Sequence, residues 1–306
     1  MASHVGSTPV HAAESMAEEV PPVTSWTVTQ PQQLAFEHEE VRRLHVSLVA
    51  GRLSVVGTDG PARLEVSRTG EVPLSVALVG DLLSISHPVP KTWPGVLQPL
   101  WWWLNGGRRQ QSDISIAVPY ETAATLRTSA GSVIASNVHA DLTVDCVSGR
   151  ITLLGNAGRI HAKVVSGPIE ALGCAGDITL ETVSGEITLA DSATERVRAK
   201  TISGALTADL DNPPEHSEIF LETTSGEITI RVREDSDLTV QLVASSGRVT
   251  TAFPSLRAEG KWGTSALRGV LGAGTGRLDV KAVSGNISLL RRPVDDDFGE
   301  DGRSPR

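Results

Sequence analysis

The sequence predicts an all-β protein, a single β-solenoid or β-helix of about 18–22 residues per coil, with a capping β-meander at its N-terminal end. Two observations lead to this fold class. Val, Ile, Leu and Thr alternate with polar residues along most of the chain, which is the pattern of half-buried strands. Glycines also recur at nearly constant intervals, whereas the signals that begin and end helices are scarce.

The glycine spacing defines the repeat. Three consecutive spacings between Gly131 and Gly185 are 18 residues each, and the following ones are 19, 22 and 21. The positions two residues after each glycine, and five and seven residues before it, are apolar in every copy. Strands this short cannot bury a face alone, so successive coils must stack about 4.8 Å apart. The repeat glycines are Gly51, Gly131, Gly149, Gly167, Gly185, Gly204, Gly226, Gly247 and Gly285.

The domain organisation follows from where this pattern begins and ends. Residues 1–25 and 291–306 are rich in Pro, Ala, Ser and charged residues, and we expect them to be disordered tails. Residues 26–290 form the solenoid domain. The chain therefore holds one folded domain between two tails.

Three stretches depart from the repeat. Residues 61–120 contain strand-like runs outside the 18-residue frame, and we interpret them as the meander that caps the first end. Residues 88–111 form a Trp/Arg-rich insertion within it. Residues 252–274 are predicted to be an irregular coil with a surface excursion.

The composition excludes several classes of protein. The chain has 36 acidic and 27 basic residues, so it lacks the dense basic face that nucleic-acid binding requires. Cys146 and Cys174 show no metal-binding spacing, and we expect two buried thiols, no metal and no cofactor. The sequence shows no secretory signal and no stretch of about 20 apolar residues, which predicts a cytoplasmic protein, with membrane association as an alternative.

A serine precedes most of the repeat glycines, and a Ser-Gly pair is also typical of an activated nucleophile. Such a serine needs a base within reach, and no histidine lies at a constant offset from these serines. We therefore interpret the pairs as structural turns, with the glycine at the corner and the serine hydroxyl bonded to the turn backbone. Val183, Ile187 and Leu189 are expected to point inward. The pairs are Ser148–Gly149, Ser166–Gly167, Ser184–Gly185, Ser203–Gly204, Ser225–Gly226, Ser246–Gly247 and Ser284–Gly285.

Two outward columns accompany the turns. Three residues after the glycine most copies carry Thr or Ser, a hydroxyl ladder that suits a glycan or simply a solvated strand. Four residues before it the charges mostly alternate in sign between coils, which favours in-register stacking. These charges are Arg127, Asp145, Lys163, Glu181, Lys200, Glu222 and Lys281.

The insertion at residues 88–111 is the feature that the repeat explains least. It contains four of the six tryptophans together with Arg residues and no acidic residue, a combination typical of protein contacts and membrane interfaces. The alternative is that the tryptophans seal the end of the solenoid. The candidate contact residues are Trp93, Trp101, Trp102, Trp103, Arg108 and Arg109.

The tandem repeats resemble a known family. TVSGEITL at Thr182–Leu189 and TTSGEITI at Thr223–Ile230 are similar to the Ser-Gly units of the bacterial putative-adhesin family of β-strand repeat proteins, a domain-of-unknown-function group. The resemblance covers Trp26 to Leu290. It implies a β-solenoid and surface adhesion, and it brings no catalytic residues.

Three functional hypotheses remain open from the sequence. The first is a non-enzymatic scaffold or interaction protein with an unknown protein or glycan partner, whose ends could also stack into homo-oligomers. The second is a carbohydrate-binding solenoid. The third is a peripheral membrane component of envelope stress that docks through residues 88–111.

Overall fold

The computed structural model describes residues 23–87, 110–211, 216–259 and 264–293. This part of the chain is all β and contains no helix, as the alternating pattern predicts. The strands are β1 (Val23–Val28), β2 (Gln32–Phe36), β3 (Arg43–Thr58), β4 (Ala62–Arg68), β5 (Leu74–Val79), β6 (Leu82–Ser86), β7 (Gln111–Pro119), β8 (Ala123–Ser136), β9 (Leu142–Ser148), β10 (Ile151–Leu154), β11 (Ala157–Ser166), β12 (Ile169–Leu172), β13 (Ala175–Ser184), β14 (Ile187–Ser203), β15 (Leu206–Leu210), β16 (Glu218–Ser225), β17 (Ile228–Arg233), β18 (Leu238–Ser246), β19 (Val249–Thr251), β20 (Arg257–Ala258), β21 (Ser265–Leu271), β22 (Gly276–Ser284) and β23 (Ile287–Arg292).

Successive repeats stack in parallel and in register. The strand before each corner glycine belongs to a first ladder, in the order β3, β8, β9, β11, β13, β14 and β16. The strand after the glycine belongs to a second ladder, in the order β3, β8, β10, β12, β14, β15 and β17. Equivalent residues lie opposite each other, as Ile151, Ile169 and Ile187 do. The repeat frame read from the sequence is therefore the pairing register.

The core lies between the two ladders. The apolar positions two residues after the glycine are at most 1% exposed, apart from Val249, which is partly buried. Those five and seven residues before the glycine are at most 2% exposed. Burial of these aliphatic columns is the main favourable contribution to folding. Because each coil contacts only its neighbours, the core is continuous along the stack.

The corner glycines are required by close approach of the backbone. A Cβ atom added at Gly167 would overlap the carbonyl oxygen of Gly149 in the preceding coil, and Gly167 also has a φ of 138°. At Gly185 no left-handed φ is involved, yet a Cβ would overlap the carbonyl oxygen of Gly167. The glycines therefore stack directly upon one another, and a side chain at this column would separate the coils.

The last coil does not stack in sequence order. β22 pairs in parallel with β16 on one side and with β18 on the other. In the second ladder, β23 lies likewise between β17 and β19. The coil of Gly285 is thus inserted between the coils of Gly226 and Gly247, and the C-terminal strands fill a gap that the preceding coil leaves.

The interpretation of residues 252–274 as an irregular coil is wrong for most of that stretch. β21 runs antiparallel to β18, and β20 runs antiparallel to β21. An antiparallel hairpin reverses the chain direction, so it cannot keep the spacing of a parallel coil. These strands close the C-terminal end of the stack.

At the other end, the interpretation of residues 61–120 as lying outside the frame needs correction. Leu83 of β6 lies opposite Leu44, and Ser112 of β7 lies opposite Gly51, so β6 and β7 are the two halves of one further parallel coil. The insertion interrupts this coil at its corner, which hides the frame in the sequence. Gln111 already belongs to β7, so the insertion ends before it.

A meander does cover this end, as expected. β5 runs antiparallel to β6 and β1 to β5, while β4 runs antiparallel to β7 and β2 to β4. The predicted tail boundaries are corrected slightly at both termini. β1 begins at Val23 because its backbone pairs with Val79, although the Val23 side chain is exposed and gives no burial signal. β23 extends to Arg292, which pairs with Arg233.

Candidate functional site

The Ser-Gly corners are structural, but the serine hydroxyls do not build the turn as expected. Within the described residues, no hydroxyl of the seven corner serines has a hydrogen-bond partner, and the serines are exposed. Their backbone carbonyls instead accept from the corner glycine of the neighbouring coil, as Ser184 does from Gly167 at 2.9 Å. The side-chain hydrogen bond at this corner comes from the threonine two residues before the serine. Thr182 Oγ1 donates to the Gly167 carbonyl of the preceding coil at 3.4 Å.

This arrangement gives a paired prediction. Ser184→Ala should change the free energy of unfolding by less than about 0.5 kcal/mol, because no hydrogen bond is lost. Thr182→Val should lower it by about 1 kcal/mol, because one buried hydroxyl bond is removed at constant shape. Urea unfolding of both variants checks this, and a larger loss for Ser184→Ala would contradict it.

The structure brings together a Ser–His pair that the repeat pattern did not reveal. His87 is the last described residue before the insertion, and Ser112 follows shortly after it. Both are buried, and His87 Nε2 lies 3.0 Å from Ser112 Oγ. The pair bridges the interrupted corner of the first parallel coil, where the other coils have a continuous chain.

The hydrogen bonds of His87 argue against catalysis. The Val49 backbone N–H donates to His87 Nδ1 at 3.2 Å, so Nδ1 is an acceptor. A neutral imidazole with an acceptor at Nδ1 carries its proton on Nε2, which then donates to Ser112. A histidine in this tautomer cannot take the proton of the serine hydroxyl. The pair is therefore a structural latch.

The latch predicts a pH dependence. Burial lowers the pKa of His87 below its ordinary value of 6.5. The unfolded chain then binds a proton at a higher pH than the folded chain does, so stability falls as the pH drops below about 6.5. Unfolding midpoints at pH 7.5 and 5.5 should differ more for the wild type than for His87→Gln. Equal differences would contradict the latch.

The two cysteines are buried thiols, as predicted. Burial raises the pKa of Cys146 to about 11 and also raises the pKa of Cys174, so neither is a thiolate near neutral pH. Among the described residues, no group of three His, Cys, Asp or Glu side chains is placed to hold a metal ion. The same residues include no helix long and apolar enough to cross a membrane.

An exposed apolar column runs along the outward face of the first ladder. The expectation that Val183 points inward is wrong, because its side chain is 40% exposed. The inward positions lie three, five and seven residues before the corner glycine, whereas Val183 lies two residues before Gly185. Equivalent residues of neighbouring coils are 43–52% exposed. We call these four stacked residues the valine column: Val147, Val165, Val183 and Ile202.

Two alternating charge columns share the outward face with the valine column, and one of them is adjacent to it. The one predicted from the sequence contains ion pairs between neighbouring coils, such as Arg127–Asp145 at 3.3 Å and Lys200–Glu222 at 3.3 Å. We call it the inner charge column, and in-register pairing aligns it throughout. A second column of alternating charges, eight residues before the glycine, was not predicted from the sequence. We call it the outer charge column: Asp141, Arg159, Asp177, Arg196, Glu218 and Arg277.

The valine column and the inner charge column border a groove at the N-terminal end of this face. The groove has a volume of about 400 Å³. Its walls include Val147, Val165 and Lys163, and His87 lies at its edge. His87, the last described residue before the insertion, therefore lines the same groove as these exposed apolar side chains.

The hydroxyl ladder is present on the outward face of the second ladder. Pairing aligns Thr188, Thr207 and Thr229, and Thr250 Oγ1 donates to Ser288 Oγ at 3.2 Å. The contact residues proposed for the insertion lie outside the described residues. They are Trp93, Trp101, Trp102, Trp103, Arg108 and Arg109.

Comparison with known proteins bears on the family. Residues 175–290 match the Toastrack family, DUF4097. This part of the chain is similar to the Toastrack family. The match confirms the family resemblance of the Ser-Gly repeats. The Toastrack segment contains the last five repeat glycines, and the coils of Gly131, Gly149 and Gly167 continue its register beyond the matched residues.

Solved structures similar to the chain include three bacterial proteins. A putative cell adhesion protein from Clostridium sporogenes is 11% identical, over 86% of this chain and 100% of its own, with a TM-score of 0.25. A putative adhesin from Bacteroides fragilis is 12% identical, over 85% and 97%, with a TM-score of 0.39. A putative lipid binding protein from Parabacteroides distasonis is 11% identical, over 86% and 97%, with a TM-score of 0.32. These likenesses are too weak to carry an argument about the Toastrack segment. No curated protein matches the chain.

Proposed function

We propose that the protein is a non-enzymatic β-solenoid scaffold that binds another macromolecule through the outward face of its first ladder. The observation that carries the proposal is the valine column, four stacked aliphatic side chains that are all 40–52% exposed. Aliphatic residues can occur singly on a protein surface without a role, but a contiguous apolar strip flanked by charged side chains is typical of an interaction site.

The chemistry of the described residues supports binding over catalysis. No corner-serine hydroxyl is hydrogen-bonded to a base among the described residues. Ser112 accepts a hydrogen bond from His87 and does not donate one to it. The thiols are buried and protonated. The outward face, by contrast, is built from ladders that hold each side chain in a fixed position, which favours recognition of a partner surface.

The family relationship supports an adhesin-like contact role. Residues 175–290 match the Toastrack family, and the regular stack offers a broad flat face without requiring an enclosed pocket.

Site-specific photo-crosslinking tests the proposal. A photoreactive phenylalanine analogue placed at Val165 or Val183 in the full chain, expressed in bacterial cells, should give covalent adducts with a macromolecule that mass spectrometry identifies. The same analogue at Thr152, on the outward face of the second ladder, is the matched control and should give few adducts. Absence of adducts at Val165 and Val183, or equal yields at all three positions, would contradict the proposal.

A carbohydrate partner is the second candidate, and the aligned hydroxyl ladder favours it. Hydroxyls repeated about every 4.8 Å along a flat face suit hydrogen bonding to a regular glycan. Binding on a glycan array that is lost in Thr188→Glu and kept in Val183→Glu would support this candidate over the first. Binding lost only in Val183→Glu would assign the glycan to the valine column.

A further inference from the structure

The charges on the outward face of the first ladder are arranged so that the face is complementary to a reversed copy of itself. Both charge columns alternate in sign from coil to coil, and the valine column lies beside the inner one. The inner column runs through seven coils from Arg127 to Lys281, and its reversal about any point between two coils places opposite signs together; one such point lies between Lys163 and Glu181. The midpoint of the valine column falls between Val165 and Val183, which belong to the same two coils.

Reversal of an alternating column about a midpoint between two coils places opposite charges opposite each other. A two-fold axis that lies in the contact plane, parallel to the strands, performs this reversal and keeps each column facing itself. Lys163 then faces Glu181 of a second copy, and Asp145 faces Lys200 of the second copy. The outer column behaves in the same way, since Arg159 faces Asp177 of the second copy.

The same operation places the valine column on itself. Val165 faces Val183 of the second copy, and Val147 faces Ile202 of the second copy. The apolar strip is thereby removed from water along its whole length, while the charge columns on its flank remain paired. A two-fold contact of this kind uses the same patch on both copies.

We propose that this face is a dimerisation surface and that its occupant is a second copy of this chain. The proposal rests on the proposed interaction role and names the partner. Alternation every 4.8 Å or so is poorly matched to a partner of uniform charge, such as a nucleic acid or an anionic membrane, and well matched to another in-register stack. Lys163 and Glu181 form an ion pair within one chain at 3.6 Å, and because their side chains remain 51% and 36% exposed, both can also reach a facing surface.

The size of the face is sufficient for a specific contact. Six coils extend roughly 25–30 Å along the stack, and the strand from the outer charge column to the valine column extends roughly 20 Å. Each copy then offers about 500 Å² of flat area, and two copies bury about 1,000 Å², the lower limit for a biological interface. The dimer should therefore be of moderate affinity and sensitive to salt.

Sedimentation velocity of the full chain with paired charge reversals tests the dimer. The wild type should dimerise, and Lys163→Glu or Glu181→Lys should each weaken dimerisation at least tenfold, because like charges then face each other. A mixture of the two variants should restore dimers to within about threefold, since the carboxylate introduced at position 163 of one chain then faces the ammonium group introduced at position 181 of the other. Arg150→Glu, at the exposed corner residue that precedes β10, is the matched control and should leave dimerisation unchanged.

The outcomes separate this inference from the proposed function. A monomeric wild type at the highest attainable concentration, a mixture that fails to restore dimers, or an equal effect of Arg150→Glu would each overturn the dimer. If the photo-crosslinks at Val165 then join the chain to a different protein, or to its own residues 88–109, the face has another occupant. If the crosslinked partner is a different protein, the proposed function stands without the dimer. If the crosslinks join the face to residues 88–109 of the same chain, both proposals fail.

Discussion

Replacement of Gly185 with Ala should lower the free energy of unfolding by at least about 3 kcal/mol. The added Cβ would overlap the carbonyl oxygen of Gly167, and a backbone atom cannot move aside as a flexible side chain can. The coils of Gly167 and Gly185 would have to separate, which weakens the hydrogen bond that the Gly167 N–H donates to the Ser184 carbonyl at 2.9 Å. The loss therefore exceeds that of an ordinary surface substitution.

A matched control isolates the close approach. Gly60 lies outside the stacked corner, and a Cβ there would meet nothing nearer than Thr58 Oγ1 at 4.0 Å. Gly60→Ala should change stability by less than about 1 kcal/mol. Urea unfolding of both variants measures the difference. Similar values for the two would show that the corner glycines are not held by backbone contact.

Ile187→Asp should prevent stable folding of the coils around it. Ile187 is fully buried and lies in register between Ile169 and Leu206, where a carboxylate would have neither water nor a cationic partner. Burial of an unpaired charge together with the loss of an aliphatic side chain costs at least about 4–5 kcal/mol. Because neighbouring coils share the core, we expect the loss to spread beyond one repeat.

The next residue provides the control for this substitution. Thr188 lies in the same strand but points outward, so Thr188→Asp should retain the cooperative unfolding transition with a loss below about 1 kcal/mol. Circular dichroism and urea unfolding distinguish the two variants. A folded Ile187→Asp protein with near wild-type stability would contradict the assignment of the inward columns.

The columns and the corners could be predicted from sequence because they depend on short-range periodicity. A repeat glycine fixes the inward and outward positions around it, so residues such as Ile151, Ile169 and Ile187 are identified without knowledge of the fold. Parallel in-register stacking then follows, since only that arrangement aligns equal positions.

The order of the coils could not be predicted, because adjacency in the stack is not encoded by periodicity. β22 carries the same columns as any other coil, and nothing in its residues indicates that it enters between β16 and β18. The coil made of β6 and β7 was hidden for a related reason, since an insertion between His87 and Ser112 removes its corner from view.

The candidate site was predicted only in part. The inner charge column was predicted from its alternating signs. The valine column was missed because sequence alone does not distinguish an exposed Val, such as Val183, from a buried Val one position away in the repeat, such as Val164. The outer charge column lies near the beginning of each strand, where coil lengths vary between 18 and 22 residues and the offset is harder to recognise.

The stacking of the coils is the basis of the fold described above, and an engineered disulfide tests it most directly at the point where it departs from sequence order. Ser225 and Ser284 are exposed and lie opposite each other in adjacent strands, about 4.8 Å apart, within the Cα separation that a disulfide needs. Ser246 lies one strand further, roughly 9.6 Å from Ser225. After oxidation, Ser225→Cys/Ser284→Cys should form an intramolecular disulfide and Ser225→Cys/Ser246→Cys should not. The opposite result would show that the coils stack in sequence order and would contradict the structure.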